Sequence, residues 1–443
     1  MPDDDPTQDR TRELKHDGSD DPAAEGPATV ERDPEGAPED HRETAGTTRE
    51  VRPEAARALK NLGGEVRRGI VTHGWDSAAL AALTGFAAVL AVGAVFVVMA
   101  KLAVPEFGAG KSPLWIMARI GVAGLGALGI PIERAGEGAS MLPVGALLLI
   151  GWILAWATRK TVETSGAFTL RERLIEGLKV AVPFALGCFI AAFVFRLRDR
   201  DPSLGADPSW ALILGLVWGA IFGALGGLWA VGMRDTADAG DRWLENRPLL
   251  RAGLRTGGTM LVGLGLLSAV VVVLAIALMV AFGGAPPISG GEAVAFVLAV
   301  ILFGPNLVAG AAAFSLGGPV GVLARTIDGA RVASEVSLLG WDAGRPSAYV
   351  YLLILVPAAA FVYGGYHARR SGAGSPAGVI GTAAGVVGIS VAFLTWITRL
   401  EVSQAFLGRG NYLVAAAEAL PAFVLSVAFG GLFGYLGWRA GDI

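Results

Sequence analysis

Few residues of this 443-residue chain combine the right type with the right place to do chemistry, and the sharpest is an amide: Asn306, directly after Pro305 within FGPNLVAGAAAFSLGG, at the centre of the apolar run 293–316. Proline has no N–H and frees a backbone carbonyl one turn before it, so this run is expected to break near the bilayer midplane. An amide beside such a break is how discontinuous helices coordinate solutes. Facing lipid it would lose its water partners at a cost of about 1–3 kcal/mol, so it is expected to turn into the bundle. The competing reading is an ordinary interhelical hydrogen bond of about 1 kcal/mol.

Glu418 stands six residues into the last apolar run and three before Pro421. A carboxylate near a freed carbonyl suits a proton or cation, whereas a later helix start would leave Glu418 in interfacial water. Asn306, Pro305 and Glu418 together form the candidate solute or ion site. Glu176 and Lys179, three apart on one helix face, fit an ion pair with a snorkelling lysine at the cytosolic interface, or else a gate or headgroup site. Thr169 and Glu172 have capping-box spacing and should start that helix. Arg119, Glu133, Arg134 and Glu137 read as solvated loop charge or an external vestibule.

Enzyme signatures are missing: H-E-x-x-H, G-x-x-x-x-G-K-[ST] and G-x-S-x-G do not occur. His16, His41, His73 and His367 are dispersed, and the lone Cys188 permits neither a disulfide framework nor a thiolate cluster. We therefore expect no catalysis, no cofactor and no metal. Basic residues form no stripe interleaved with aromatics, so nucleic acid is not an expected partner.

The elements that must position these residues follow from composition. The chain is 53% hydrophobic and 17% charged with mean hydropathy +0.55, outside the range of soluble domains. Residues 1–70 hold 11 Lys/Arg and 18 Asp/Glu, a net −7. They lack aromatics and are expected to be a disordered acidic tail, ending in a basic stretch near anionic lipid. The opening MPDDDPTQDR has no apolar run, so no cleavable signal peptide is expected. Residues 71–443 hold runs of the roughly 20 apolar residues that cross a bilayer as helix. These lie near 78–102, 141–157, 180–195, 209–232, 257–283, 293–316, 347–366, 376–398 and 412–437, with 114–132 a re-entrant candidate. With a cytosolic N-terminus, this count puts 19 Lys/Arg on the cytosolic side and 9 on the other.

The phrase G-x-x-F-G-x-L-G occurs at Gly219–Gly226 and again, 211 residues later, at Gly430–Gly437. A fainter echo joins Val122-Ala123-Gly124 to Val308-Ala309-Gly310. An odd number of crossings between the strong echoes makes the halves inverted repeats on this topology, with chance similarity of Gly-rich helices as the alternative. Gly215, Gly219, Gly223 and Gly227 share one helix face, and Ser426, Gly430 and Gly434 repeat the device. Such stripes serve close packing within the chain, or else self-association, contact with other membrane proteins or a pore lining.

The expected fold class is thus all-α: a polytopic transmembrane bundle of about nine spans, possible inverted repeats included, behind a disordered tail. Span order, VILFGPNLVAGAAAFSLG, GLVWGAIFGALGGL and FGGLFGYLGW resemble the streptophobe family of actinobacterial multi-pass membrane proteins. That resemblance runs from about residue 75 to the C-terminus and implies a bacterial plasma membrane with no assigned ligand residue. Function reads first as permease-like or channel-like handling of a small solute or ion, and second as a non-catalytic scaffold or regulatory envelope protein.

Overall fold

The computed structural model describes residues 74–134, 137–167, 169–198, 205–282, 289–325, 331–336, 348–372, 374–402 and 412–442. The acidic tail expected at residues 1–70 lies outside them. Local signals start most helices. α1 spans Trp75–Ala103, and α2, Pro113–Gly126, begins with Pro113 behind the capping Ser112. The strands β1 (Ile132–Arg134) and β2 (Glu137–Met141) precede α3, Val144–Thr164. α4, Leu170–Lys179, opens with the capping box foreseen at Thr169 and Glu172, and α5, Ala181–Arg198, continues it. Strand β3 (Gly205–Ala206) leads to α6, Pro208–Val231, where the Asp207 carboxylate accepts from the N–H groups of Ser209 and Trp210.

The amphipathic α7, Met233–Leu244, joins α6 to α8, Pro248–Phe282, and α9 spans Gly290–Ser315 behind a Ser289–Glu292 capping box. The hairpin of β4 (Val320–Arg325) and β5 (Arg331–Val336) follows, then a 3-10 turn and α10, Leu355–Arg370. α11 is Pro376–Ile397, β6 and β7 are Leu400–Val402 and Tyr412–Ala417, and α12 is Ala419–Ala440. Eight described helices are long and apolar enough to cross a membrane, so this is a helical membrane protein. α3 has 21 residues but ends on Arg159, Lys160 and Glu163 and falls outside that set.

Two span boundaries move. Tyr412–Ala417, apolar and continuous with the last span, pairs as strand instead, and residues 141–143 lie outside α3. Nor does Pro305 break its helix, because α9 is continuous across it.

The seven described strands form one antiparallel sheet, in the order β3-β1-β2-β6-β7-β4-β5. The sheet carries an internal repeat. Ile132 and Glu133 pair with Ala206 and Gly205, while Val320 and Gly321 pair with Ala417 and Ala416. The N–H of Asp207 donates to Pro131 at 3.0 Å, and that of Glu418 donates to Pro319 at 3.3 Å. Each proline ends a matching turn, Leu128-Gly129-Ile130-Pro131 or Leu316-Gly317-Gly318-Pro319. In both turns the glycine is left-handed, at φ 77° and 88°, so each chain reverses into its hairpin just after the helix ends.

Asp207 and Glu418 are 211 residues apart, the spacing of the G-x-x-F-G-x-L-G echo. α6 and α12 therefore leave one sheet from equivalent points. α3 runs alongside α6 in the same sense, with Gly151 against Phe222 and Ala155 against Gly226. α10 runs likewise beside α12, with Val362 against Gly437 and Arg369 against Gly441. The halves are parallel repeats, which corrects the inverted relation. The crossing count followed hydropathy alone and could not see that α6 and α12 leave one sheet. α9 starts where Gly291 meets Leu102, at the end of α1, and returns its chain to the sheet that α3, α6 and α12 leave. Each half has its own core, one around Val89, Leu154 and Phe184, the other around Met260, Phe361 and Val387.

Candidate functional site

Asn306 turns into the bundle, onto the start of α3. Its Oδ1 accepts from the N–H of Val144 at 2.8 Å, and its Nδ2 donates to the carbonyl of Leu142 at 2.8 Å. The Val144 N–H is one of the first-turn donors that a helix cannot satisfy internally, so a side chain 162 residues away acts as its cap. Pro305 contributes in a second way. It cannot donate to the carbonyl of Ile301, and that oxygen lies against Gly145. A methyl group at Gly145 would lie 2.6 Å from the carbonyl oxygen of Leu302 and closer still to that of Ile301. Pro305, Asn306 and Gly145 thus make one tight crossing of α9 over the start of α3.

Glu418 does not join this crossing. It is the exposed residue before α12, with extended backbone and no capping hydrogen bond from its side chain, because the preceding residues are strand. Glu176 and Lys179 do form an ion pair, at 2.5 Å, but the lysine side chain is 1% exposed and is buried rather than snorkelling. Gly74, at the start of α1 with φ 107°, lies over it: a Cβ there would come within 2.9 Å of the Glu176 Oε2. Arg119 lies over the Trp115 ring, 4.7 Å from its centroid. The side chains of Arg134 and Glu137 lie outside the described ones.

The glycine stripe has a partner within the chain. Gly215 meets Ala185, Gly219 meets Ala181, Gly223 meets Gly177 and Gly227 meets Arg173, so four steps up α6 match four steps down α5 and α4. In the second half Gly430 meets Ala384 and Gly434 meets Ile380 on α11, while Gly365 of α10 packs on the backbone of Gly434. Small residues let these backbones approach closely.

One cavity with charged residues in its lining escaped the sequence reading, with a volume of about 290 Å³, between the start of α8 and the end of α10. Arg251, Arg255, Thr256, His367 and Ser371 are among its lining residues. Asp241 of α7 bonds both arginines, with Arg251 Nη2 at 2.7 Å and Arg255 Nη2 at 2.8 Å. Hydrogen bonding from Arg251, with help from Arg255, holds the Asp241 carboxyl below its usual range. The i, i+4 arginine spacing was the available signal, masked by reading 233–256 only as a basic loop. Among the described residues no group of three or more His, Cys, Asp or Glu is placed to hold a metal.

Residues 137–234 match a family of unknown function, DUF7978. The match covers β2 through α6 and stops at the start of α7. No curated protein and no solved structure matches the chain.

Proposed function

We propose that this protein is a non-catalytic scaffold or regulatory component of a bacterial plasma membrane rather than a permease. The observation that carries this reading is the engagement of Asn306. The amide that best suited a solute site has its donor and acceptor both bonded to the backbone around Pro143, in a structural rather than a ligand-binding arrangement. The resemblance to the streptophobe family points to the same compartment.

In the orientation we favour, α2 and α9 enter and return on the sheet side. α1, α3, the joined α4 and α5, α6, α8, α10, α11 and α12 cross. The N-terminus and the end of α12 are then both cytosolic. Segments 51–70, 158–173, 233–256, 367–375 and 438–443 hold 17 Lys/Arg, against 11 in 103–140, 196–208, 284–292, 317–346 and 399–411. The positive-inside bias supports this orientation.

The test is reconstitution of the full chain into liposomes, with proton and monovalent-cation flux followed by trapped dyes. Wild type and Asn306→Ala are expected to match protein-free vesicles, while the variant melts at lower temperature. A protein-dependent flux that Asn306→Ala abolishes without lowering the melting temperature would return Asn306 to a transport role.

A further inference from the structure

We propose that the cavity between α8 and α10 binds a phosphate group, carried by an anionic lipid headgroup or free in solution. The arginine pair and the size of the cavity point to that ligand. Arg251 and Arg255 are one turn apart, both line the cavity, and their guanidinium groups meet at Asp241 beside it; the planar fork of arginine matches phosphate oxygens in pairs. The cavity meets both the start of α8, the positive end of its dipole, and the last turn of α10, the negative end of its own, so the two dipoles offset and the arginines carry the attraction. The hydroxyls of Thr259 and Ser371 in its wall donate to the backbone carbonyls of Arg255 and Ala368, so they do not compete with the arginines as donors. Its volume of about 290 Å³ exceeds what one phosphate needs and leaves room for the adjoining part of a lipid headgroup.

The neighbourhood supplies the depth. α7 is amphipathic, and its Trp243 is 64% exposed, with the Arg247 guanidinium 5.2 Å from its ring centroid. Exposed tryptophan beside arginine is the pattern of the lipid headgroup layer, where an anionic lipid is at high local concentration. Asp241 is the built-in competitor. Its carboxylate holds both arginines from outside the cavity, and Glu245 adds a second negative charge at the wall, so affinity depends on how much guanidinium charge the ligand recovers.

The experiment uses the full-length protein in detergent, delipidated and then offered phosphatidylglycerol, phosphatidylcholine or inorganic phosphate. Retention is read by native mass spectrometry and protection by thermal unfolding. Wild type should retain phosphatidylglycerol at least fivefold over phosphatidylcholine, and Arg251→Gln with Arg255→Gln should remove that preference. Protection by inorganic phosphate alone would make the source a soluble phosphate, and protection by phosphatidylglycerol alone would make it lipid. Asp241→Asn guards against a mere folding defect in the arginine variant, because freeing both guanidinium groups should raise retention above wild type. Equal retention in wild type and the double arginine variant, or weaker retention in Asp241→Asn while that variant is still folded at the temperature of the measurement, overturns the proposal.

Discussion

Gly145 packs directly against the carbonyl oxygen of Ile301, the one that Pro305 leaves without its helical donor. A side-chain carbon at residue 145 would collide with backbone rather than with a yielding side chain. Gly145→Ala is therefore expected to destabilise the fold by more than the ~1–3 kcal/mol usual for overpacking, and Gly145→Val to prevent accumulation of folded protein. Gly310→Ala, on the same helix as Pro305 with open space around it, is the control and should melt like wild type. Thermal unfolding of the detergent-solubilised variants checks this, and equal melting of Gly145→Ala and Gly310→Ala would contradict it.

The stripe on α6 makes a comparable prediction about assembly. Gly223 and Gly177 each lie against the other's carbonyl, so Gly223→Ile must push α6 away from α4. The expected outcome is a strong loss of thermal stability with no change in the oligomeric state of the folded fraction, read by light scattering. A stable variant that has merely lost a dimer would mean that the stripe faces another molecule.

Parallel repeats place loops on definite sides of the membrane. Cys188 is buried, so Cys188→Ala gives a cysteine-free background. On it, Gly240→Cys and Arg370→Cys should react with an impermeant maleimide from one side and Lys111→Cys from the other. Labelling of Arg370→Cys together with Lys111→Cys would restore an inverted arrangement.

The Asp241 pairs carry a definite pH dependence. The carboxyl titrates below its ordinary 3.8, chiefly through the hydrogen bond from Arg251. A depressed carboxyl contributes stability that is complete above its unfolded value and lost as pH falls through the folded one. The difference in melting temperature between wild type and Asp241→Asn should thus stay flat from about pH 8 to 5 and shrink only below about pH 4. A difference that shrinks between pH 7 and 5 would assign the effect to a group other than Asp241.

Much of the helical frame was legible because lipid demands long apolar runs, and the glycine spacing on α6 reads directly as a packing face. The sheet was not. Tyr412–Ala417 is as apolar as a span, and two-residue strands such as Gly205–Ala206 leave no periodicity to read. Of the two echoes, G-x-x-F-G-x-L-G marked a true repeat. The pairing of Val122 with Val308 missed by two residues, because the structural register carries Leu128 onto Leu316. The inward turn of Asn306 followed from the chemistry of a buried amide, but its partners could not, since Leu142 and Val144 meet it only through the folded chain.

A symmetric pair of separate subunits has to place every side chain twice. Tandem halves joined in one polypeptide are free of that obligation. The position equivalent to Asn306 in the first half is Ala118, and those equivalent to Glu176 and Lys179 in the second half are Val379 and Thr382. Fusion thus lets one half specialise in the buried ion pair and the other in bracing the start of α3 in its neighbour, a division of labour closed to identical copies.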